Sequence, residues 1–198
     1  SKAILAMTQG DLAVEFGTFA DVKREYDRAA SLYRSAGDSS GVANAIEGSA
    51  VLMHARGDDV SAFSLMRYAG RLRSVTGNRR AASLSRLLLA EMQIAKDDFP
   101  SAKRTATLAG DGFRSLGDAT GEAAALAIVG DVYRRTGKLD SAVRAYRLGL
   151  RRLGTRRASG VEWRLHSGLG QTLHRANDLA GSADELRKAI AVSEAAAS

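Results

Sequence analysis

The stretch "RTGKLDSA", Arg135–Ala142, sets the fold through its echoes. The chain reads "EFGTFADV" at 15–22, "ARGDDVSA" at 55–62, "AKDDFPSA" at 95–102 and "RANDLAGS" at 175–182, each forty residues from the next in phase. Glycine stands at Gly17, Gly37, Gly57, Gly77, Gly117 and Gly137, with Asp97 and Asn177 in the same slot and Arg157 breaking it. Glycine and asparagine accept the left-handed backbone that ends a helix, so the slot reads as a helix stop every twenty residues. Between stops, apolar positions recur at helical spacing, as in Leu126, Val129, Gly130 and Tyr133. Aspartates following the stops, Asp21, Asp58, Asp98, Asp140 and Asp178, read as N-caps, and Pro100 falls in a first turn where its missing N–H is not needed.

The unit is therefore two antiparallel helices, A and B, repeated five times. The pattern predicts an all-α fold, a right-handed α-α superhelix (solenoid) of helix-turn-helix repeats at about 1–37, 38–77, 78–117, 118–157 and 158–198. The chain is expected to be one solenoid domain, a fragment of a larger protein. Small residues mark where the helices close. One row is Gly10, Ala50, Ala90, Gly130 and Gly170 on helix A. Two more lie on helix B: Val22, Ala62, Ala102, Ala142 and Ser182, then Ala29, Ala69, Ala109, Gly149 and Ala189. Between the B rows comes a filler position, Tyr26, Met66, Ala106, Tyr146 and Leu186.

This signature resembles the tetratricopeptide repeat over essentially the whole chain. The fourth repeat is the fullest copy, with Val129-Gly130, Tyr133, Gly137, Ala142, Tyr146 and Gly149. The linkers "GDSSGVANA" (37–45) and "GDATGEAAA" (117–125) are similar to the extended, forty-residue variant of the Pins/LGN, kinesin-light-chain and bacterial-regulator type. Asp59 stands where an apolar residue is usual, Ala106 is small for a filler, and the proline that often ends such repeats is missing.

The composition narrows the chemistry. The 198 residues carry a net charge of +7, one proline, twenty glycines and no cysteine. Disulfides and thiolate-held zinc are thereby excluded. No apolar run approaches a membrane span, and the chain is expected to be cytoplasmic. Its Ala/Arg/Gly-rich, Lys-poor composition points to a bacterial source, with a regulatory or assembly role. His166 and His174 are eight residues apart, about 12 Å along a helix, too far to share one metal ion. "RRTGKL" (134–139) lacks the upstream glycine of a phosphate loop and has Leu139 where magnesium needs a hydroxyl. "GLGQT" (168–172) falls inside helix A of the last repeat, where its glycines serve packing. No enzymatic activity, cofactor or metal is expected.

The resemblance implies ligand binding on the concave, A-helix side. By register the lining rows are Ile4, Asn44, Leu84, Ala124 and Arg164, then Met7, Glu47, Leu87, Ala127 and Ser167. One turn on come Asp11, Val51, Glu91, Asp131 and Gln171, and lastly Val14, His54, Ile94, Arg134 and His174. These positions share one helix face. With Glu15 they make one end of the groove apolar and acidic, and with Arg135 and Arg175 they make the other cationic. The partner expected is a protein or peptide with an apolar anchor and an acidic segment. An alternative for Leu84, Leu87 and Ile94 is packing between neighbouring repeats. The family's carboxylate clamp is absent, because Met7, Asp11, Gly48, Leu84 and Leu88 occupy its positions.

Two alternative functions remain open. The uncapped first helix, "AILAMT" (3–8), and the ending "AVSEAAAS" (191–198) suit self-association into a homo-oligomer. The run Arg144, Arg147, Arg151, Arg152, Arg156 and Arg157 could attract nucleic acid. Its nearby aromatics, Tyr133 and Tyr146, hold core positions and cannot stack on bases, so a solvated convex face is the plainer account.

Overall fold

The computed structural model describes residues 2–8, 19–156 and 158–197. Gly10, Asp11, Val14, Glu15, Gly17 and Arg157 lie outside the described residues. Every regular element among those described is an α-helix: α1 (2–8), α2 (Phe19–Ser35), α3 (Ser39–Ala55), α4 (Asp59–Val75), α5 (Arg79–Ala95), α6 (Phe99–Ser115), α7 (Ala119–Arg135), α8 (Leu139–Leu153), α9 (Ser159–Arg175) and α10 (Leu179–Ala197). Odd-numbered helices are the A helices of the repeat and even-numbered ones the B helices. None of the described helices is long and apolar enough to cross a membrane.

The twenty-residue stop is a positive-φ residue after each of α2 to α7 and after α9. Gly137 has φ 74°, and where glycine is replaced the backbone still turns left-handed, at Asp97 (φ 57°) and Asn177 (φ 63°). That conformation folds the chain back on the helix end, so the Lys138 N–H donates to the Tyr133 carbonyl at 2.8 Å and Asp178 N–H to Leu173 at 2.9 Å.

The next helix starts from the residue after the stop. The carboxylates of Asp38, Asp58, Asp98, Asp118 and Asp178, and the amide oxygen of Asn78, accept from the N–H three residues on, at 2.8–3.2 Å. Two expected caps are corrected. Asp140 lies inside α8, whose N-cap is Lys138 with no side-chain bond, and Asp21 lies in the first turn of α2. Both carboxylates face the positive end of a helix rather than capping it.

The chain divides into two compact units, residues 1–89 and 90–198, the division falling within α5. In the first, α2 packs on α3 and α3 on α4. Its core is built from Ala6, Ala29, Ala45, Val42, Ile46 and Ala69, with Tyr33 between the two groups. In the second, each of α6 to α9 packs on the helix that follows it, and α7 also meets α9. Its core holds Ala123, Ala127, Ala142, Tyr146, Leu153, Leu165, Leu169 and Leu173.

The described members of the three small-residue rows are buried throughout. The filler row is buried at Tyr26, Met66, Ala106 and Tyr146, while Leu186 is partly exposed. Asp59, a departure from the repeat pattern, has its Oδ1 2.7 Å from Nδ1 of His54 and so ties α3 to α4.

Candidate functional site

Each unit carries a hollow on its A-helix face, and beside each a tyrosine lies against a glycine of the lining. In the first unit Tyr26 of α2 reaches under Gly48 of α3, where an added Cβ would stand 2.6 Å from a ring carbon. Beside that contact lies a cavity of about 420 Å³ walled by Met7, Val51, Leu52 and Ala55, with Asn44, Glu47 and Arg73 at its polar side. In the second unit Tyr146 of α8 lies against Gly168 of α9 in the same way, at 2.6 Å. The cavity there is about 360 Å³, between Asp131 and Arg134 of α7 and Trp163, Arg164, Ser167 and Gln171 of α9. Asn44, Glu47, Gly48 and Val51 stand three forty-residue periods before Arg164, Ser167, Gly168 and Gln171.

The first hollow is organised by Arg73, which sequence reasoning missed. It lies on α4 and is only 7% exposed. Nη1 donates to the Glu47 carboxylate and to Ser85 Oγ, and Nη2 donates to Asn44 Oδ1 at 2.6 Å. Ser85 Oγ also lies 3.1 Å from Glu47 Oε2. A buried guanidinium is tolerated because its donors meet a counter-charge and neutral acceptors together. The signal was legible in register: Tyr33, Arg73, Phe113 and Leu153 share one position, and the charge breaks a large apolar series.

The second hollow is a network around Asp131. Tyr146 Oη donates to Asp131 Oδ1 at 2.6 Å, and Arg134 Nε donates to Tyr146 Oη at 3.3 Å. Arg164 gives Nε and Nη2 to Asp131 Oδ2, at 3.0 and 2.9 Å, and Nη1 to Glu91 Oε1 at 2.5 Å. Burial, and then the Asp131 charge, push the Tyr146 hydroxyl well above the usual phenol range, so it stays a donor. Burial alone would lower both guanidiniums. For Arg164 the carboxylates of Asp131 and Glu91 outweigh it, and for Arg134 Tyr146 and Asp131 do, so both are raised.

Asn44, Glu47, Val51, Asp131, Arg134, Arg164 and Gln171 line the two cavities. Leu87, Ile94 and Ala127 are buried among the helices. Leu84 is 39% exposed. His54 is held by Asp59, and Glu91 reaches its site through Arg164.

Arg135, 3.9 Å from Asp97, and the exposed His174 and Arg175 lie at helix C-termini and line neither cavity. Arg175 Nη1 donates to the Arg134 carbonyl at 2.7 Å. The charges at the two hollows are paired within each unit. Glu47 is matched by Arg73, and Arg134 and Arg164 are matched by Asp131 and Glu91. Trp163, 47% exposed at the rim of the second cavity, was not foreseen.

No protein-family model matches the chain, and no curated protein does. Solved structures do match. BtubC (BKLC) from P. vanneervenii is 17% identical, with a TM-score of 0.78 over 96% of this chain and 79% of that one. Kinesin-light-chain TPR-like repeats from P. anserina are 13% identical, with a TM-score of 0.70 over 96% of both chains. MamA of RS-1 is 15% identical, with a TM-score of 0.63 over 98% of this chain and 96% of that one. The fold of this chain is the tetratricopeptide-like repeat fold.

Proposed function

We propose that the chain is a protein-interaction scaffold whose ligand is an extended or helical segment of another protein, laid on the faces of the A helices. The observation that carries this reading is the recurrence of one hollow, in the same register, in both units. A hollow of this size on a helix face receives a side chain of a partner. In the first unit the walls are apolar, so the anchor is an aliphatic or aromatic side chain. In the second, Trp163 and Gln171 offer an amphipathic rim to a more polar residue. An acidic stretch in the partner would have to displace Glu91 or Asp131 from Arg164, so the apolar anchor contributes more.

The reading assigns no catalysis to the hollows. Their charged groups are engaged with one another, Glu47 with Arg73 and Asp131 with Arg164.

Site-specific photo-cross-linking in an extract of the source cells tests it. A photoreactive residue at Val51 or at Gln171 gives an adduct with a partner, whereas one at Tyr68, exposed on α4, gives none. Adducts from Tyr68 alone, or none from either A-helix position, overturn the proposal. An adduct of twice the chain's mass replaces it with self-association.

A further inference from the structure

The basic run of the fourth repeat carries more arginines without a carboxylate partner than the other B helices of its unit, where Arg104 of α6, bonded to Ser101 Oγ at 3.1 Å, is one. On α10, Arg187 is paired to Asp184 at 2.6 Å and Lys188 to Glu185 at 2.7 Å. On α6, Arg114 is held by Asp111 at 2.7 Å and Glu122 at 2.9 Å, and the Lys103 ammonium sits 4.9 Å from the centroid of the Tyr133 ring. On α8, Arg152 takes Glu122 at 3.2 Å, and Arg144 bonds to Ser141 Oγ at 3.0 Å. Arg147 and Arg151 have no carboxylate partner among the described residues. Ala142, Tyr146, Gly149 and Leu153 turn inward, so Arg144, Arg147 and Arg151 form one outward ladder at i, i+3 and i+7, about 10 Å long. Like charges one turn apart repel, so the free chain keeps an unfavourable arrangement that a polyanion would relieve.

We propose that the outer face of α8 binds the phosphate backbone of duplex nucleic acid, independently of base sequence. Three features select this occupant. No large apolar side chain of α8 is exposed, so the face has no anchor for a lipid surface. An acidic peptide would gain only solvent-exposed ion pairs, each individually weak. A duplex carries a denser charge with condensed counterions, and arginine forks on its phosphates release them. Tyr146 is fully buried and cannot stack, which removes the reading of bases but leaves the backbone untouched. This face lies on a B helix and is separate from the protein-binding hollows, so either proposal can fail alone.

Fluorescence anisotropy with two labelled duplexes of unrelated sequence, each about twenty base pairs, tests the assignment. Both duplexes bind alike, and the logarithm of affinity falls against the logarithm of salt with a slope of about −3, for three phosphates. Between about 50 and 200 mM salt that is a loss of about forty-fold. Arg147→Gln brings the slope about one closer to zero, and the triple change Arg144→Gln, Arg147→Gln, Arg151→Gln abolishes binding with an unchanged circular-dichroism spectrum. Arg187→Gln, at a paired cation, leaves the slope as it was. The proposal is overturned if the chain fails to bind either duplex at the lowest salt, or if the triple variant binds like the parent. Tighter binding to poly-glutamate, or to phosphatidylserine vesicles, than to the duplexes also overturns it and assigns the face to that partner.

Discussion

Tyr146 lies with its ring against two glycines, Gly130 of α7 and Gly168 of α9, and its hydroxyl is fixed by Asp131 at 2.6 Å. A Cβ at Gly168 would stand 2.6 Å from the ring, which is fully buried and cannot give way without breaking that bond. Gly70 of α4 differs, because its nearest neighbour would be the Ser85 Cβ at 3.5 Å, an ordinary contact. Alanine favours a helix over glycine by about 1 kcal/mol, whereas overpacking costs about 1–3 kcal/mol. Gly70→Ala is therefore expected to stabilise the chain by up to about 1 kcal/mol, and Gly168→Ala to destabilise it by about 1–2 kcal/mol. Urea unfolding of the two variants beside the parent checks both signs. Equal effects would mean that the tyrosine is not wedged. The glycine and tyrosine rows were legible in the sequence because close packing restricts composition at fixed positions. Arg73 was not read, since its partner Glu47 lies 26 residues away on another helix and no local rule pairs them.

Helix boundaries were legible at the stops and misplaced at the starts. A left-handed residue excludes most side chains, so Gly, Asp97 and Asn177 stand out at the turns after α2 to α7 and after α9. A cap asks only for an oxygen one residue later, and an aspartate in the first turn, such as Asp140, imitates it. The consequence shows in α8. Lys138 holds φ −84° and ψ 64°, close to Asp98 (−79°, 65°) and Asp58 (−81°, 71°), yet offers no acceptor. The backbone is ready for a cap that the side chain cannot supply. Lys138→Asp should add the missing bond to the Ser141 N–H and place a negative charge at the positive end of the helix. It is expected to stabilise by about 0.5–2 kcal/mol, measured by thermal or urea unfolding. Asp98→Ala should lose a similar amount, and no change in either variant would deny the cap its role.

For the molecule as a whole, the forty-residue period made the repeat fold readable before any contact was known, because each helix pair must bury its apolar face on the next. Burial within the groove rows was less readable. Leu87 and Ile94 are buried while Met7, Glu47 and Arg134 in the same registers are half-buried, a difference that spacing along one helix does not show. Stability in a stack of this kind is local, and helices can open separately. In the second unit α10 packs on α9 and is tied to it by Glu185, whose carboxylate lies 2.6 Å from His166 Nδ1 and 2.7 Å from Lys188 Nζ. Burial alone would raise the Glu185 pKa, but the Lys188 and His166 hydrogen bonds and charges outweigh it and hold it below the ordinary carboxylate value. A depressed folded pKa favours folding while the group is ionised. Its contribution is complete above the unfolded value of about 4.3 and is lost as pH falls through the folded one. Lys188 is more than half exposed, so solvent screens the effect and keeps it small. Acid should thus loosen α10 before α7. Amide exchange corrected for its intrinsic pH dependence is expected to show the α10-to-α7 protection ratio at about pH 5 falling as pH drops below about 4. In Glu185→Gln the ratio should be low throughout and independent of pH. A parent ratio that stays flat to about pH 3 would show that the pair between α9 and α10 does not govern how that end of the unit opens.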